Sequence, residues 1–292
     1  MLRENTVIGF IGTGVMGKSM AGHLLNAGYP VIVYSRTKSK AEDLLEMGAE
    51  WADTPKLIAE KANVIITMVG YPTDVEEVYL GEKGIITNGK EGSFVIDMTT
   101  STPTLAKRIY EEGRKKGIFA LDAPVSGGDI GAREAKLSIM VGGEREAFTE
   151  MEPIFRLMGT NIVYQGNAGS GQHTKMCNQI AIASNMIGVC EAIVYAEKAG
   201  LNPETVLQSI STGAAGSWSL SNLAPRMING NFEPGFYIKH FIKDMNIALQ
   251  EAEALGMNTP GLALARKMYA QLAQAGEENC GTQALYKYWE QK

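Results

Sequence analysis

Cysteine is scarce in this chain: three occur in 292 residues, at positions 177, 190 and 280, an odd number with no C-x-x-C spacing. That excludes a disulfide framework and a zinc ribbon and predicts a reducing compartment. An excess of positive charge is lacking too. The formal net charge of −5 argues against a protein that wraps nucleic acid or lies on anionic lipid, so any anion site must be local. Long hydrophobic runs are also missing. The first apolar run, in MLRENTVIGFIGTG, is too short for a signal-peptide core, and no later run approaches the ~20 uninterrupted apolar residues of a membrane helix. The expectation is a cytoplasmic protein.

What is present is the composition of a soluble globular protein, 45% hydrophobic and 20% charged, long enough for two domains. From residue 6 to about 166, short apolar runs (TVIGFIG, VIVYS, ANVIITMV, SFVIDMTT, IFALDAPVSG, KLSIMVGG, NIVYQG) alternate with segments of helical period. Among the latter are MGKSMAGHLLNAG, residues 38–47, DVEEVYLG, residues 104–116 and residues 144–158. Strands joined by helix-length connections imply βαβ units and a doubly wound parallel sheet. Beyond residue 166 no convincing strand follows. A long helix is predicted over 172–199, then helices near 202–210, 219–229, 238–255 and 261–275, separated by Gly, Pro and Asn. The predicted division is an α/β domain over 1–166 and an all-α domain over 167–292, joined by the long helix.

The first strand runs into Gly12-Thr-Gly14-Val15-Met16-Gly17 and then a helix. Glycines there permit a tight turn, close approach of the backbone to a pyrophosphate and close helix–strand packing, while the helix N-terminus offers free N–H groups to the anion. At the end of the second strand, where NAD sites carry an acidic residue on the ribose, this chain has Ser35-Arg36-Thr37. A carboxylate would repel a 2′-phosphate and an arginine can hold it in two charge-assisted hydrogen bonds, so NADP is expected over NAD, which stays possible. A solvated basic turn is the plain alternative.

Asp122-Ala-Pro-Val-Ser126-Gly127-Gly128 follows a strand, where open α/β sheets bind ligands. A hydroxyl followed by two unencumbered N–H groups can hold a carboxylate, although Ser-Gly-Gly is also a common loop. In GSGQHTKMCNQ, residues 169–179, the long helix places Lys175 and Asn178 on one face at i,i+3 and His173 and Cys177 on another. Two ligands without a third make a poor metal site, so no metal is expected. Cys177 reads as a small core residue and His173 as a polar contact. Lys175 is either a solvated helix lysine or a buried one; burial near other cations lowers an ammonium's pKa and suits it to proton transfer near neutrality.

These segments resemble the β-hydroxyacid dehydrogenase family over the whole chain, through GFIGTGVMGKSMAGHLL, DAPVSGG, GSGQHTKMCNQ and FIKDM at 241–245. The resemblance implies a Rossmann domain, a long interdomain helix and a helical domain with the active site in the cleft. It implies Lys175 as general acid/base, Asn178 as its partner on substrate, and Ser126, Gly127 and Gly128 as carboxylate holders. Val69, Gly70, Asp74 and Thr100 fall where the family lines the cofactor, Lys243 near the nicotinamide, with Asp244 helping to fix the helix. The expected substrate is a small 3-hydroxy acid or its semialdehyde, and the expected assembly a homodimer or homotetramer. Trp218 is the candidate pocket residue, or else a core aromatic. Three features depart from the family's usual pattern: His23, Gly70 and GTQAL near the C-terminus, where no site is assigned. Rival readings are an imine reductase, which usually lacks the lysine; a 6-phosphogluconate dehydrogenase, whose helical domain is much longer; and a non-catalytic NADP-binding scaffold.

Overall fold

Short apolar runs, most of them rich in β-branched residues and bounded by glycine and polar punctuation, form the strands β1 (Ile8–Ile11), β2 (Val31–Tyr34), β4 (Val64–Thr67), β5 (Phe94–Asp97) and β6 (Phe119–Asp122), with a two-residue β3 (Glu50–Trp51) at the edge. The computed structural model describes residues 6–290, so the reading of Met1–Asn5 as free of a leader lies outside the described residues. Contacts divide the chain into two units, Met1–Lys175 and Met176–Lys292.

Three further strands follow in the first unit, β7 (Val125–Ser126), β8 (Leu137–Gly142) and β9 (Gly159–Gly166), and the strand order is β3-β2-β1-β4-β5-β6-β8-β7, with β9 beside β8. β1 to β6 are parallel, in registers such as Ile8↔Val31, Ile8↔Val64 and Asp97↔Asp122. The connecting helices are α1 (Val15–Asn26), α2 (Glu42–Glu46), α3 (Pro55–Lys61), α4 (Pro72–Leu80), α5 (Ile85–Asn88) and α6 (Pro103–Arg114). Both faces of the sheet are apolar and covered, as parallel sheets require. Ile8, Phe10, Val33, Ile66 and Ile96 pack with Met20 and Leu24 of α1 on one side, while Ile11, Ile32, Ile65 and Val95 pack with Ile58 and Tyr79 on the other. Each such side chain stabilises the fold by roughly 1.5–3 kcal/mol through burial.

The expected all-parallel pattern breaks after β6. The short β7 (Val125–Ser126) pairs antiparallel with β8, and β6 meets β8 antiparallel as well. The reversal runs through Gly127 and Gly128, both at positive φ (131° and 64°), into the short helix α7 (Gly128–Arg133). α8 (Arg145–Phe155) leads to β9, which returns parallel to β8.

α9 (Ser170–Lys198) starts in the first unit and continues into the second, which holds α10 (Pro203–Ile210), α11 (Trp218–Asn222), α12 (Ala224–Ile228), α13 (Ile238–Ala254), α14 (Pro260–Leu272) and α15 (Lys287–Glu290). The helix expected over 219–229 is two helices. Pro225, in the first turn of α12, cannot donate a backbone hydrogen bond and so breaks the run. The second core gathers Met176, Met186, Cys190 and Ile193 of α9, Phe241 and Met245 of α13, and Leu262, Tyr269 and Leu272 of α14. α9 is long and apolar enough to cross a bilayer by length and composition alone, although polar and charged residues interrupt it throughout. Its polar Gln172, Lys175 and Gln179 are buried and hydrogen-bonded to protein groups, the arrangement of a core helix.

Candidate active site

β1 hands over to α1 through Gly12, which has φ 99° and whose absent side chain leaves room for the Met68 carbonyl. One turn later a Cβ on Gly17 would collide with the Gly12 carbonyl, so helix and loop approach as only glycine allows. Gly14 faces open space and carries no side-chain cap at the start of α1; Val15 is exposed and Met16 half-buried beside it. Thr13 Oγ1 is buried without a hydrogen-bond partner among the described residues. An open backbone cradle at a helix N-terminus, with an unused hydroxyl, fits the pyrophosphate of a dinucleotide.

Ser35, Arg36 and Thr37 form the turn after β2. Arg36 Nη1 lies 3.0 Å from Asp74 Oδ1, and Asp74 Oδ2 accepts the Tyr71 N–H at 3.2 Å at the start of α4. Two residues assigned to the cofactor are thus brought together. The ends of β4 and β5 are fixed by a buried network absent from the sequence reading. Asp97 Oδ1 accepts the Thr67 hydroxyl (2.8 Å) and the Thr99 N–H (3.0 Å), Thr99 Oγ1 accepts the Val69 N–H (3.0 Å), and the Tyr79 and Thr67 hydroxyls are 2.9 Å apart. Burial, reinforced by the Asp97 carboxylate, pushes the Tyr79 phenol well up. The half-buried Val69, Gly70 and Thr100 sit on the loops this network holds.

The lysine side of the first unit is built on Asp122, the last residue of β6. Its Oδ1 accepts the Gly169 N–H at 2.7 Å and its Oδ2 the Gln172 N–H at 2.8 Å. Gln172, fully buried, accepts the Ser101 N–H (3.0 Å) and donates to the Thr99 carbonyl (2.7 Å). One turn on, Lys175 is 7% exposed, and its Nζ donates to the Val125 carbonyl at 2.8 Å. Val125 immediately precedes Ser126, Gly127 and Gly128, so the structure brings the lysine to the loop that the sequence marks as a carboxylate pocket. The solvated-lysine alternative does not hold. Burial pushes the Asp122 carboxyl up to about 6; the Asp97 carboxylate adds to this, and the two N–H groups oppose it. His23 of α1 donates from Nε2 to the Ala132 carbonyl of α7 at 2.9 Å, tying the cofactor helix to the helix after Gly128.

In the second unit Asn178 Nδ2 donates to Gln179 Oε1 (2.7 Å), and Gln179 Nε2 donates to Asp244 Oδ2 (2.6 Å). Lys243 Nζ is 2.8 Å from Asp244 Oδ1, an ion pair without hydrogen-bond alignment. Burial, with Lys243 and Lys239 nearby, lowers the pKa of His240. Trp218 is 62% exposed at the start of α11, which Ser217 Oγ caps through the Leu220 N–H, so the core-aromatic alternative fails. Cys177 is exposed, not the small core residue expected, because its side of α9 is not the one the core covers. Asp122 and Gln172 were missed as structural groups. The available signal was an aspartate closing each of two apolar strands, FVID and FALD.

A dinucleotide cradle on a doubly wound sheet, with a buried lysine at a second strand-end loop, defines a nicotinamide-dependent oxidoreductase. Residues 7–166 match the family model described as the NAD binding domain of 6-phosphogluconate dehydrogenase, and residues 169–289 the one described as NAD-binding of NADP-dependent 3-hydroxyisobutyrate dehydrogenase. The uncharacterized oxidoreductase YkwC of Bacillus subtilis is 69% identical over 97% of this chain and 98% of its own. The 2-hydroxy-3-oxopropionate reductase of Escherichia coli is 40% identical over 95% of each. The structure of Mycobacterium tuberculosis 3-hydroxyisobutyrate dehydrogenase with L-serine superposes with a TM-score of 0.88 at 29% identity, covering 96% of this chain and 98% of that one. The chain belongs to the β-hydroxyacid dehydrogenase family.

Proposed function

We propose that this oxidoreductase uses NADP(H) to interconvert a small 3-hydroxy acid and the corresponding semialdehyde or oxo acid, with Lys175 as general acid and base. The observation that carries the reading is the 2.8 Å hydrogen bond from buried Lys175 Nζ to Val125 O, one residue before Ser126. A substrate carboxylate held by the Ser126 hydroxyl and the Gly127 and Gly128 N–H groups brings its reacting carbon beside that ammonium. When bound, the nicotinamide supplies the hydride in reduction and accepts it in oxidation. Lys175 manages the proton. In reduction its ammonium donates to the oxygen that gains the carbonyl electron pair and is reprotonated from solvent; in oxidation the neutral amine takes the hydroxyl proton.

Asn178, one turn along the helix, orients the substrate oxygen, and Trp218 walls the pocket. Gly12, Gly14, Val15, Met16 and Gly17 hold the pyrophosphate, Ser35, Arg36 and Thr37 the 2′-phosphate, and Val69, Gly70, Asp74, Thr100 and Lys243 the rest of the cofactor. The description of the second matching family, the E. coli relative's semialdehyde substrate and the L-serine bound by the Mycobacterium enzyme support a small hydroxy acid and NADP. Exposed Tyr195, Leu201, Leu255, Met257 and Leu264 of the second unit support a homodimer or homotetramer, which we place in the cytoplasm.

Lys175→Met tests the assignment. With glyoxylate, succinic semialdehyde, methylmalonate semialdehyde and 2-hydroxy-3-oxopropionate as the panel, kcat for the substrate used best falls about 10²- to 10⁴-fold while NADPH binding is retained. Turnover within threefold of wild type sinks it.

A further inference from the structure

α9 begins at Gly169-Ser170-Gly171, without a side chain of its own in the local capping position that Thr54, Thr102, Asn202 and Ser217 fill for other helices of this chain. Its cap comes from elsewhere. The Gly169 and Gln172 N–H groups end on the two oxygens of one carboxylate, supplied by β6 from 47 and 50 residues earlier. The fit leaves no slack. A Cβ on Gly142 would sit 2.6 Å from Asp122 Oδ1, and one on Gly171 would collide with the Met140 and Asp122 carbonyls.

Two stretches of chain leave Asp122 in different directions and meet again. One runs three residues along the strand-end loop to Val125; the other crosses to Gln172 and runs three residues along the helix to Lys175. The Lys175–Val125 hydrogen bond closes the ring. We propose that Asp122 is the positioning residue for Lys175: its carboxylate seats the first turn of α9, and that seat holds the lysine against Val125. The consequence for catalysis rests on the proton-transfer reading of Lys175. The seat itself does not.

Only a carboxylate satisfies this geometry, because both neighbours donate and both oxygens must accept. Asparagine would turn an NH₂ group against one of the two N–H groups. Protonation has the same effect, converting one acceptor into a hydroxyl. Of the charged groups on the elements packed here, Asp97 lies in register with Asp122 on β5 and raises its carboxyl, Lys107 of α6 runs against Gly169, and Lys175 follows one turn along α9. Burial and Asp97 push the carboxyl up to about 6 while the two N–H groups hold it down, so a loosened state that keeps the carboxyl buried without them binds the proton more tightly still. The seat is therefore engaged at neutral pH and loosens locally in mild acid, even as protonation favours the folded chain over the unfolded one.

The test reads position rather than turnover. Lysine acetylation by acetic anhydride, followed by peptide mass spectrometry on the full chain at pH 7.5, gives the rate at Lys175 against the exposed Lys90 and Lys136 as internal controls. In Asp122→Asn the Lys175 rate rises at least tenfold while the controls stay within twofold. An unchanged Lys175 rate, or an equal rise at all three lysines, overturns the proposal. Should the variant not fold, amide hydrogen exchange of wild type decides. Corrected for intrinsic exchange, protection over residues 169–176 drops at least fivefold from pH 7.5 to 5 relative to β4 and β5, and equal protection at both pH values overturns the proposal. Neither readout depends on turnover, so intact activity in Lys175→Met would remove the lysine's chemical role and leave the seat standing.

Discussion

Asp97 and Asp122 are register partners at the carboxyl ends of two adjacent parallel strands, and both are buried. Neighbouring strands lie about 4.8 Å apart, so two carboxylates are held close in a poorly solvating interior. Backbone N–H and hydroxyl groups donate to their oxygens: Thr67 and Thr99 to Asp97, Gly169 and Gln172 to Asp122. The pair fixes two loops on which the proposed site stands, and the fold bears the strain of charging Asp122.

That strain has a sign. Asp122 rises from 3.8 to about 6 in the folded chain, so the fold binds this proton more tightly than the unfolded chain does. The group's stabilising contribution is therefore complete below about pH 4 and is lost as pH climbs through 6, a change of about 3 kcal/mol. Urea unfolding of wild type and Asp122→Asn between pH 4 and 7 checks it. The stability difference, wild type minus variant, should shrink by about that amount over the interval; a constant difference would mean that Asp122 titrates normally.

Arg36 and Asp74 form an exposed ion pair, of a kind worth at most about 1 kcal/mol. A 2′-phosphate offering two charge-assisted hydrogen bonds outcompetes a single carboxylate oxygen for the guanidinium. Arg36→Asp should lower the NADPH-to-NADH affinity ratio by about 10- to 100-fold, and Asp74→Asn, which keeps an acceptor for the Tyr71 N–H, should raise it several-fold. Fluorescence titration with both cofactors measures these ratios. If Arg36→Asp leaves the ratio unmoved, the arginine does not read the ribose.

Much of this was legible because the demands are local. Gly12 takes a positive φ at the turn and Gly17 packs on its carbonyl, both within six residues, and the apolar runs carry their strand pattern on their face. Helix geometry also separated Lys175 from Cys177, which the structure finds buried and exposed respectively. Which of the two sides would be covered was not legible, since that depends on partners far away in sequence. The same applies to the role of Asp122, which the sequence shows as a strand-ending aspartate at the head of DAPVSGG. Its partners lie across 47 and 50 residues, and no period or spacing announces a helix capped by a strand. The antiparallel turn at β7 escaped for a different reason: a two-residue strand between glycines carries too little pattern to register.

Asn178, Gln179, Asp244 and Lys243 form a chain in the second unit whose polarity is set by its charged member. A carboxylate only accepts, so Gln179 must turn its NH₂ group to Asp244 Oδ2 and its carbonyl to Asn178, whose own NH₂ group then donates. Asn178 Oδ1 is thereby the end of the amide not used in this chain, and the orientation of a proposed substrate contact is dictated by an aspartate two links away. Gln179→Leu removes the link without removing bulk. It strips a buried hydrogen bond from Asp244 and leaves Asn178 free to rotate, which should cost about 2–3 kcal/mol and lower Tm by roughly 5–10 °C. Gln179→Glu sets a second carboxylate against Asp244 and should destabilise at neutral pH but recover part of the loss in mild acid, where one of the two is protonated. Thermal unfolding at pH 5 and 7.5 measures both. A Gln179→Leu protein melting with wild type would show that Asp244 does not depend on the amide, and the orientation argued for Asn178 would fall with it.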